Sequence, residues 1–249
     1  VNMADGNVIE IPVGIAPYEV VLASYSKAYV SNWGGRIPKE GESTYNTSGS
    51  QVLVDQKTGI ANNGTVSVID LTTNKQVDEI EVGLHPSAMV LSPDNSKLFV
   101  ACANSDVISV INTSTDKVIE EIPVQMDKDL PFGSSPNALT ISKDGKTLYV
   151  ANGTNNAICV IQIGVPSNII GHIPTGWYPG SVLIDEETNF LFVANIKGVG
   201  SRNQKTSRAG YNTHDHMGSV SIIPLPDEKK LAEMTNAVNR NNSFVQKLV

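Results

Sequence analysis

Short apolar runs separated by turn residues recur along the chain in a fixed order. The clearest copy is Ser142 to Gln162, SKDGKTLYVANGTNNAICVIQ. Lys143-Asp144-Gly145-Lys146 predicts a tight turn, with Gly for positive φ and Asp for a side-chain bond to nearby backbone. Leu148-Tyr149-Val150-Ala151 and Ile158 to Ile161 predict two strands flanking a short loop.

Four strand types align in four copies. One type is Val8 to Gly14, Val77 to Gly83, Val118 to Val124 and Ile169 to Gly176, each followed by a proline: Pro17, Pro86, Pro136 and Pro179. The next is Val20 to Ala23, Met89 to Ser92, Leu139 to Ser142 and Val182 to Asp185. After a tight turn come Tyr29 to Asn32, Phe99 to Cys102, Tyr149 to Asn152 and Phe192 to Asn195. Val66 to Asp70, Ile108 to Asn112, Ile158 to Gln162 and Val220 to Pro224 close the unit, for an expected sixteen strands.

A period of about 42 residues with four strands per unit marks an all-β fold, a β-propeller with four-stranded blades. The runs Leu-Tyr-Val-Ala and Leu-Phe-Val-Ala are apolar on both faces, as strands covered on both sides require. A β-sandwich with one wet face would alternate more cleanly. In a blade the innermost strand follows the proline. The loop after the second strand and the lead-in to the next blade therefore share one face. Turns on the opposite face are short: Ser24 to Lys27, Pro93 to Lys97, Lys143 to Lys146 and Glu186 to Asn189. The shared face takes the extra residues, at 33–64, 196–218 and Gln125 to Ser135. Long loops on a rigid scaffold are the usual seat of function.

Residues 1–226 are thus expected to form blades, and 227–249 a C-terminal helix and linker. Asp227 suits a helix N-cap, Leu231, Met234 and Val238 recur at helical spacing, and the helix is predicted over Asp227 to Asn239.

Composition agrees with many short strands: 249 residues, 17% charged, 6% aromatic, 20 Gly and 13 Pro. A formal charge of −7 argues against general nucleic-acid binding. No stretch approaches the roughly 18 apolar residues of a membrane span. The chain opens on Val1 with neither Met nor a signal peptide, which reads as a processed form or a piece of something longer. Two cysteines are too few for a disulfide framework. Cys159 falls where other copies carry Ser67, Ser109 and Ser221, and Cys102 where they carry Asn32, Asn152 and Asn195, so both are expected to be inert thiols packed in or at the edge of strands.

The strand-end motifs YVSN, YVAN and FVAN resemble the YVTN-repeat β-propeller family. GSSPNALTISKDGKTLYVAN (133–152), IPTGWYPGSV (173–182), VSNWGG (30–35), NIKGVGS (195–201) and SVSIIPLPD (219–227) are similar to one bacterial subfamily. There a seven-bladed propeller precedes a phosphoesterase domain of the alkaline-phosphatase superfamily. The resemblance implies that this chain holds the last four blades, with roughly three more upstream if seven hold. It also implies an extracytoplasmic location and a downstream phosphoesterase domain or another envelope protein as partner. Four copies could instead close a ring unaided, with Val8 to Ile11 completing the blade of Val220 to Ile223.

No nucleophile elbow or phosphate-cradling glycine loop is present, and the pattern names no cofactor and no catalytic residue. Trp33, Arg36, Trp177 and Tyr178 fall on the elaborated face, where aromatics can stack on a sugar or peptide or plug the propeller mouth. His85 falls there too. Between Ile196 and Gly218, Lys197, Arg202, Lys205 and Arg208 outweigh the single acid Asp215, which suits an anionic ligand or an acidic partner. Thr213-His214-Asp215-His216 is the one ligand-like cluster. His214 and His216 with His85, Asp127 and Asp129 are the only candidates for a metal-dependent hydrolase or lactonase. The leading expectation is a non-catalytic binding or scaffold module. A structural, surface-layer-like protein is the third reading.

Overall fold

A computed structural model describes residues 5–47, 49–127, 133–200 and 216–242. Its strands form four antiparallel sheets that follow one another along the chain. Blade 1 is β1 (Pro17–Ser24), β2 (Lys27–Asn32), β5 (Gly64–Asp70) and β6 (Lys75–Val82). β3 (Thr44–Thr47) and β4 (Ser50–Leu53) form a hairpin inside the long excursion between β2 and β5. Blade 2 is β7 (Pro86–Leu91), β8 (Lys97–Cys102), β9 (Val107–Asn112) and β10 (Lys117–Pro123). Blade 3 is β11 (Pro136–Ile141), β12 (Thr147–Asn152), β13 (Ala157–Gln162) and β14 (Asn168–Pro174). Blade 4 has three strands, β15 (Pro179–Asp185), β16 (Phe190–Asn195) and β17 (Ser219–Pro224). This is a β-propeller arrangement.

The register repeats between blades. Val30 faces Ser67, Val100 faces Ser109, Val150 faces Cys159 and Val193 faces Ser221. Cys159 therefore occupies a small-residue position, and burial pushes its thiol up to about 12. Burial likewise pushes Cys102 up to about 11, so neither is a thiolate near neutral pH.

Blades 2 and 3 bury both faces against their neighbours, and blades 1 and 4 bury one face each. Tyr29, Val66 and Val68 of blade 1 pack on Leu98, Val100 and Ile111 of blade 2. Phe99, Ile108 and Val110 then pack on Leu148, Val150 and Ile161, and Tyr149, Ile158 and Val160 on Val182, Leu191 and Val193. Each such side chain contributes about 1.5–3 kcal/mol when fully buried. A polar clasp reinforces the first seam: Asp116 accepts from Lys27 Nζ at 2.6 Å and from the Tyr29 hydroxyl at 2.5 Å.

Two expectations need correction. Val8 to Gly14 is not a strand, because no described strand lies beside it to accept its hydrogen bonds. Among the described residues blade 4 has no outer strand, and fifteen blade strands stand where sixteen were expected. The unaided four-bladed ring is also not formed. β1 packs against β7 of blade 2, while Val20 and Leu22 on its other face stand 63% and 67% exposed.

The helix α1 (Glu228–Asn241) starts as expected, with Asp227 accepting from the Lys230 amide at 2.7 Å, and runs past Asn239 to Asn241. Its Leu231 lies over Gly171 of β14, and the Thr235 hydroxyl accepts from the His172 amide at 2.9 Å. In the first seam, β10 of blade 2 packs on β6, and its Val118 joins the same apolar cluster as Ile80. Blade 4 has no such strand among the described residues, and α1 covers β14 instead. No helix among the described residues is long and apolar enough to cross a membrane.

Candidate ligand-binding face

The elaborated face is built on four equivalent lead-ins. The residue before each proline has positive φ: Ala16 at 52°, His85 at 53°, Ser135 at 53° and Tyr178 at 57°. Non-glycine residues rarely adopt this region, so the surroundings must hold them there. The holding bonds are the same in every blade. The amides of Trp33, Ala103, Gly153 and Ile196 donate to the carbonyls of Ala16, His85, Ser135 and Tyr178 at 2.9–3.1 Å. A second rung joins Gly34 to Ile15, Asn104 to Leu84, Thr154 to Ser134 and Lys197 to Trp177.

Side-chain latches tie these lead-ins to the preceding blade. The buried carboxylate of Asp106 accepts from the amides of Gly133, Ser134 and Ser135. Asn156, at the same ladder position one blade on, accepts from the Tyr178 amide at 2.9 Å.

Of the residues expected on this face, Trp33 and His85 come together, their rings stacked 3.9 Å apart between blades 1 and 2. Burial holds the His85 pKa below its ordinary value, against an opposing hydrogen bond to the Asn104 side chain. Tyr178 lies beneath the Lys197 ammonium, which stands 5.1 Å from the ring centroid, and its hydroxyl is 3.4 Å from Ser135 Oγ. Trp177 is 49% exposed, with one face against Gly200. Arg36 does not join these aromatics. It forms a bidentate pair with Glu42 at 2.6 and 2.8 Å within the excursion. That pair holds the Glu42 carboxyl down to about 2. Around it lies a polar groove of about 590 Å³, lined by Arg36, Glu42, Asp55, Lys57, Asn63 and Glu81 among others.

Arg202, Lys205, Arg208, His214 and Asp129 lie outside the described residues. His216 is half-buried. Among the described residues no three His, Cys, Asp or Glu side chains converge as metal ligands would. Asp106, Asn156 and Gly153 were not anticipated. Asp106 and Asn156 could have been found by alignment, since each immediately precedes its blade's third strand, where Gly64 and Gly218 stand in the other blades.

No protein-family model and no curated protein sequence matches the chain. Solved structures do. Hydrazine synthase of Kuenenia stuttgartiensis is similar over 89% of this chain, with 25% identity and a TM-score of 0.57. Dihydro-heme d1 dehydrogenase NirN in complex with DHE is similar over 70%, with 15% identity and a TM-score of 0.48. The chain spans 49% of the first of these chains and 32% of the second. The similarity to hydrazine synthase supports the propeller fold.

Proposed function

We propose that this chain is a non-catalytic β-propeller module that binds a ligand or partner through its elaborated face. One observation carries the reading. The excursion holding β3 and β4, and the described residues 125–127, 133–135, 196–200 and 216–218, all lie at the end of the blades fixed by the four lead-ins. The groove around the Arg36–Glu42 pair offers Lys57, carboxylates and side-chain amides, a set suited to a hydroxyl-rich ligand such as a sugar. Trp177 adds exposed aromatic surface at blade 4.

The motif resemblance supports a finer reading: the propeller part of a YVTN-repeat propeller–phosphoesterase, extracytoplasmic, with catalysis in a partner domain. Its quoted segments fall on matching elements here, YVAN on β12 and SVSIIP on β17. The test has two arms. The purified 249-residue chain should not hydrolyse p-nitrophenyl phosphate, with or without added zinc or magnesium; turnover that copurifies with the chain would overturn the non-catalytic reading. Chitohexaose and inorganic phosphate are then titrated by calorimetry against the wild type and Arg36→Ala. Binding lost in the variant supports the groove as the site, and binding unchanged by it removes the groove.

A further inference from the structure

In the groove of the excursion the two best-ordered charges cancel. Arg36 donates to both carboxylate oxygens of Glu42, and Glu42 Oε2 also accepts the Lys39 amide at 2.6 Å. Arg36 Nη1 reaches the Ile37 carbonyl as well, at 3.2 Å. The pair closes on itself and braces the excursion, so it offers a ligand little net charge. The other charged groups lining the groove are Asp55, Glu81 and Lys57.

Asp55 is anchored by one oxygen only. Its Oδ1 accepts from the amides of Lys57 and Thr58 at 3.0 and 2.8 Å, and from the Thr58 hydroxyl at 3.0 Å. These bonds, the Thr58 amide foremost, hold its carboxyl below the usual carboxylate range, so it stays ionised in mildly acidic water. Among the described residues nothing donates to Asp55 Oδ2 or to the Glu81 carboxylate. Glu81, with Glu79 two residues before it on β6, lies close enough to act on the Arg36 charge. Gln56 Nε2 is spent on Ser43 Oγ at 2.6 Å, which leaves its Oε1 as a further acceptor. Asn63 supplies the opposite kind of group, since its Oδ1 takes the Arg36 amide at 2.8 Å and its Nδ2 remains a donor.

Resting on the reading of this groove as a sugar site, we propose that its ligand is an amino sugar, an oligosaccharide with free ammonium groups that bind Asp55 and Glu81. An ammonium brings three donors and no acceptor, which is what two carboxylates and an amide oxygen without partners require. Ring hydroxyls, which both donate and accept, serve Asn63 Nδ2 and Gln56 Oε1. A uronic acid or sugar phosphate would meet the same two carboxylates with Lys57 alone in its favour.

The experiment is calorimetry on the 249-residue chain in mildly acidic buffer of low ionic strength. The probes are the glucosamine hexamer, the N-acetylglucosamine hexamer and hexalysine. The first should bind about five- to tenfold tighter than the second, as exposed charge pairs allow. That ratio should fall toward one in about 0.5 M salt. It should also fall toward one in the double variant Asp55→Asn, Glu81→Gln, whatever the absolute affinities do. Asn keeps the Oδ1 that holds the turn and Gln keeps the shape of Glu81, so circular dichroism should match the wild type. Equal binding of the two hexamers, or a ratio that survives in the double variant, overturns the ammonium preference and leaves the sugar groove standing. Hexalysine binding as tightly as the glucosamine hexamer overturns it too, because the groove then selects charge without the sugar. No binding of either hexamer removes the groove and the inference together.

Discussion

The indole of Trp33 lies nearly flat on the imidazole of His85, with ring centroids 3.9 Å apart and planes 19° from parallel. The pair spans the first seam and fills the space over the blade 2 lead-in. Trp33→Ala should therefore cost about 1–3 kcal/mol of stability in denaturant unfolding. Burial depresses the His85 pKa, so the imidazole is neutral at pH 7, and the stability it contributes is lost as pH falls below the ordinary value of 6.5. Trp33 fluorescence should be quenched along that titration, with a midpoint below 6.5, and His85→Gln should abolish the step. A midpoint at or above 6.5 would mean that the ring is freely solvated.

Gly153 is the counterpart of Trp33 two blades on, and here the size relation reverses. A Cβ at Gly153 would lie 2.6 Å from Asn137 Nδ2 and 3.0 Å from Tyr178 Cζ. Gly153→Ala should displace Tyr178 and destabilise by roughly 1–3 kcal/mol. Gly153→Ala with Tyr178→Ser should recover part of the loss, because Ala and Ser stand at the equivalent positions of the preceding seam, Ala103 after β8 and Ser135 before β11. Additive losses in the double variant would show that the two residues do not meet.

Asp106 is a buried carboxylate whose oxygens accept three amides of the next blade's lead-in. Asp106→Ala strands those donors and should cost about 2–4 kcal/mol. Asn156→Ala removes a neutral acceptor serving one amide and should cost about 1 kcal/mol. Thermal unfolding of the two variants checks the order. Equal losses would mean that water replaces the Asp106 carboxylate.

Most strands were legible because blade strands are apolar on both faces and their turns carry Asp, Asn and Gly. Ser142, Asp144 and Lys146 form the expected turn, with Asp144 Oδ1 bonded to Ser142 Oγ at 2.6 Å and to the Lys146 amide at 3.0 Å. Val8 to Gly14 misled because its pattern is that of an outer strand, and pattern alone does not reveal whether a neighbouring edge exists. The β3–β4 hairpin was missed because TYNT and SQVL carry little apolar signal, and most of β3 and β4 is exposed or half-exposed. On the candidate face, Trp33 and His85 were legible as residue types near a mouth, but their stacking depends on the packing of blade 1 on blade 2. Arg36 lies only three residues beyond Trp33, yet Glu42 draws it into the excursion.

His172 carries the last prediction. It lies opposite Cys159 in the β13–β14 ladder, is buried, and has no hydrogen-bond partner at Nε2. Burial holds its pKa down to about 4. An unfolded chain protonates this histidine near 6.5, so the unfolded state binds the proton first as pH falls. The stability contributed by the neutral ring is complete above pH 6.5 and is lost progressively down to about pH 4, by roughly 3 kcal/mol in all. The loss should be felt in α1, since the backbone of His172 is bonded to Thr235. Hydrogen exchange across Glu228–Asn241 should accelerate between pH 6.5 and 4 beyond the intrinsic rate, and His172→Phe should flatten that dependence. Carboxylates elsewhere titrate in both proteins, so the difference between them isolates the histidine. Identical pH profiles would show that the ring is hydrated in the folded protein and takes up its proton at an ordinary pH.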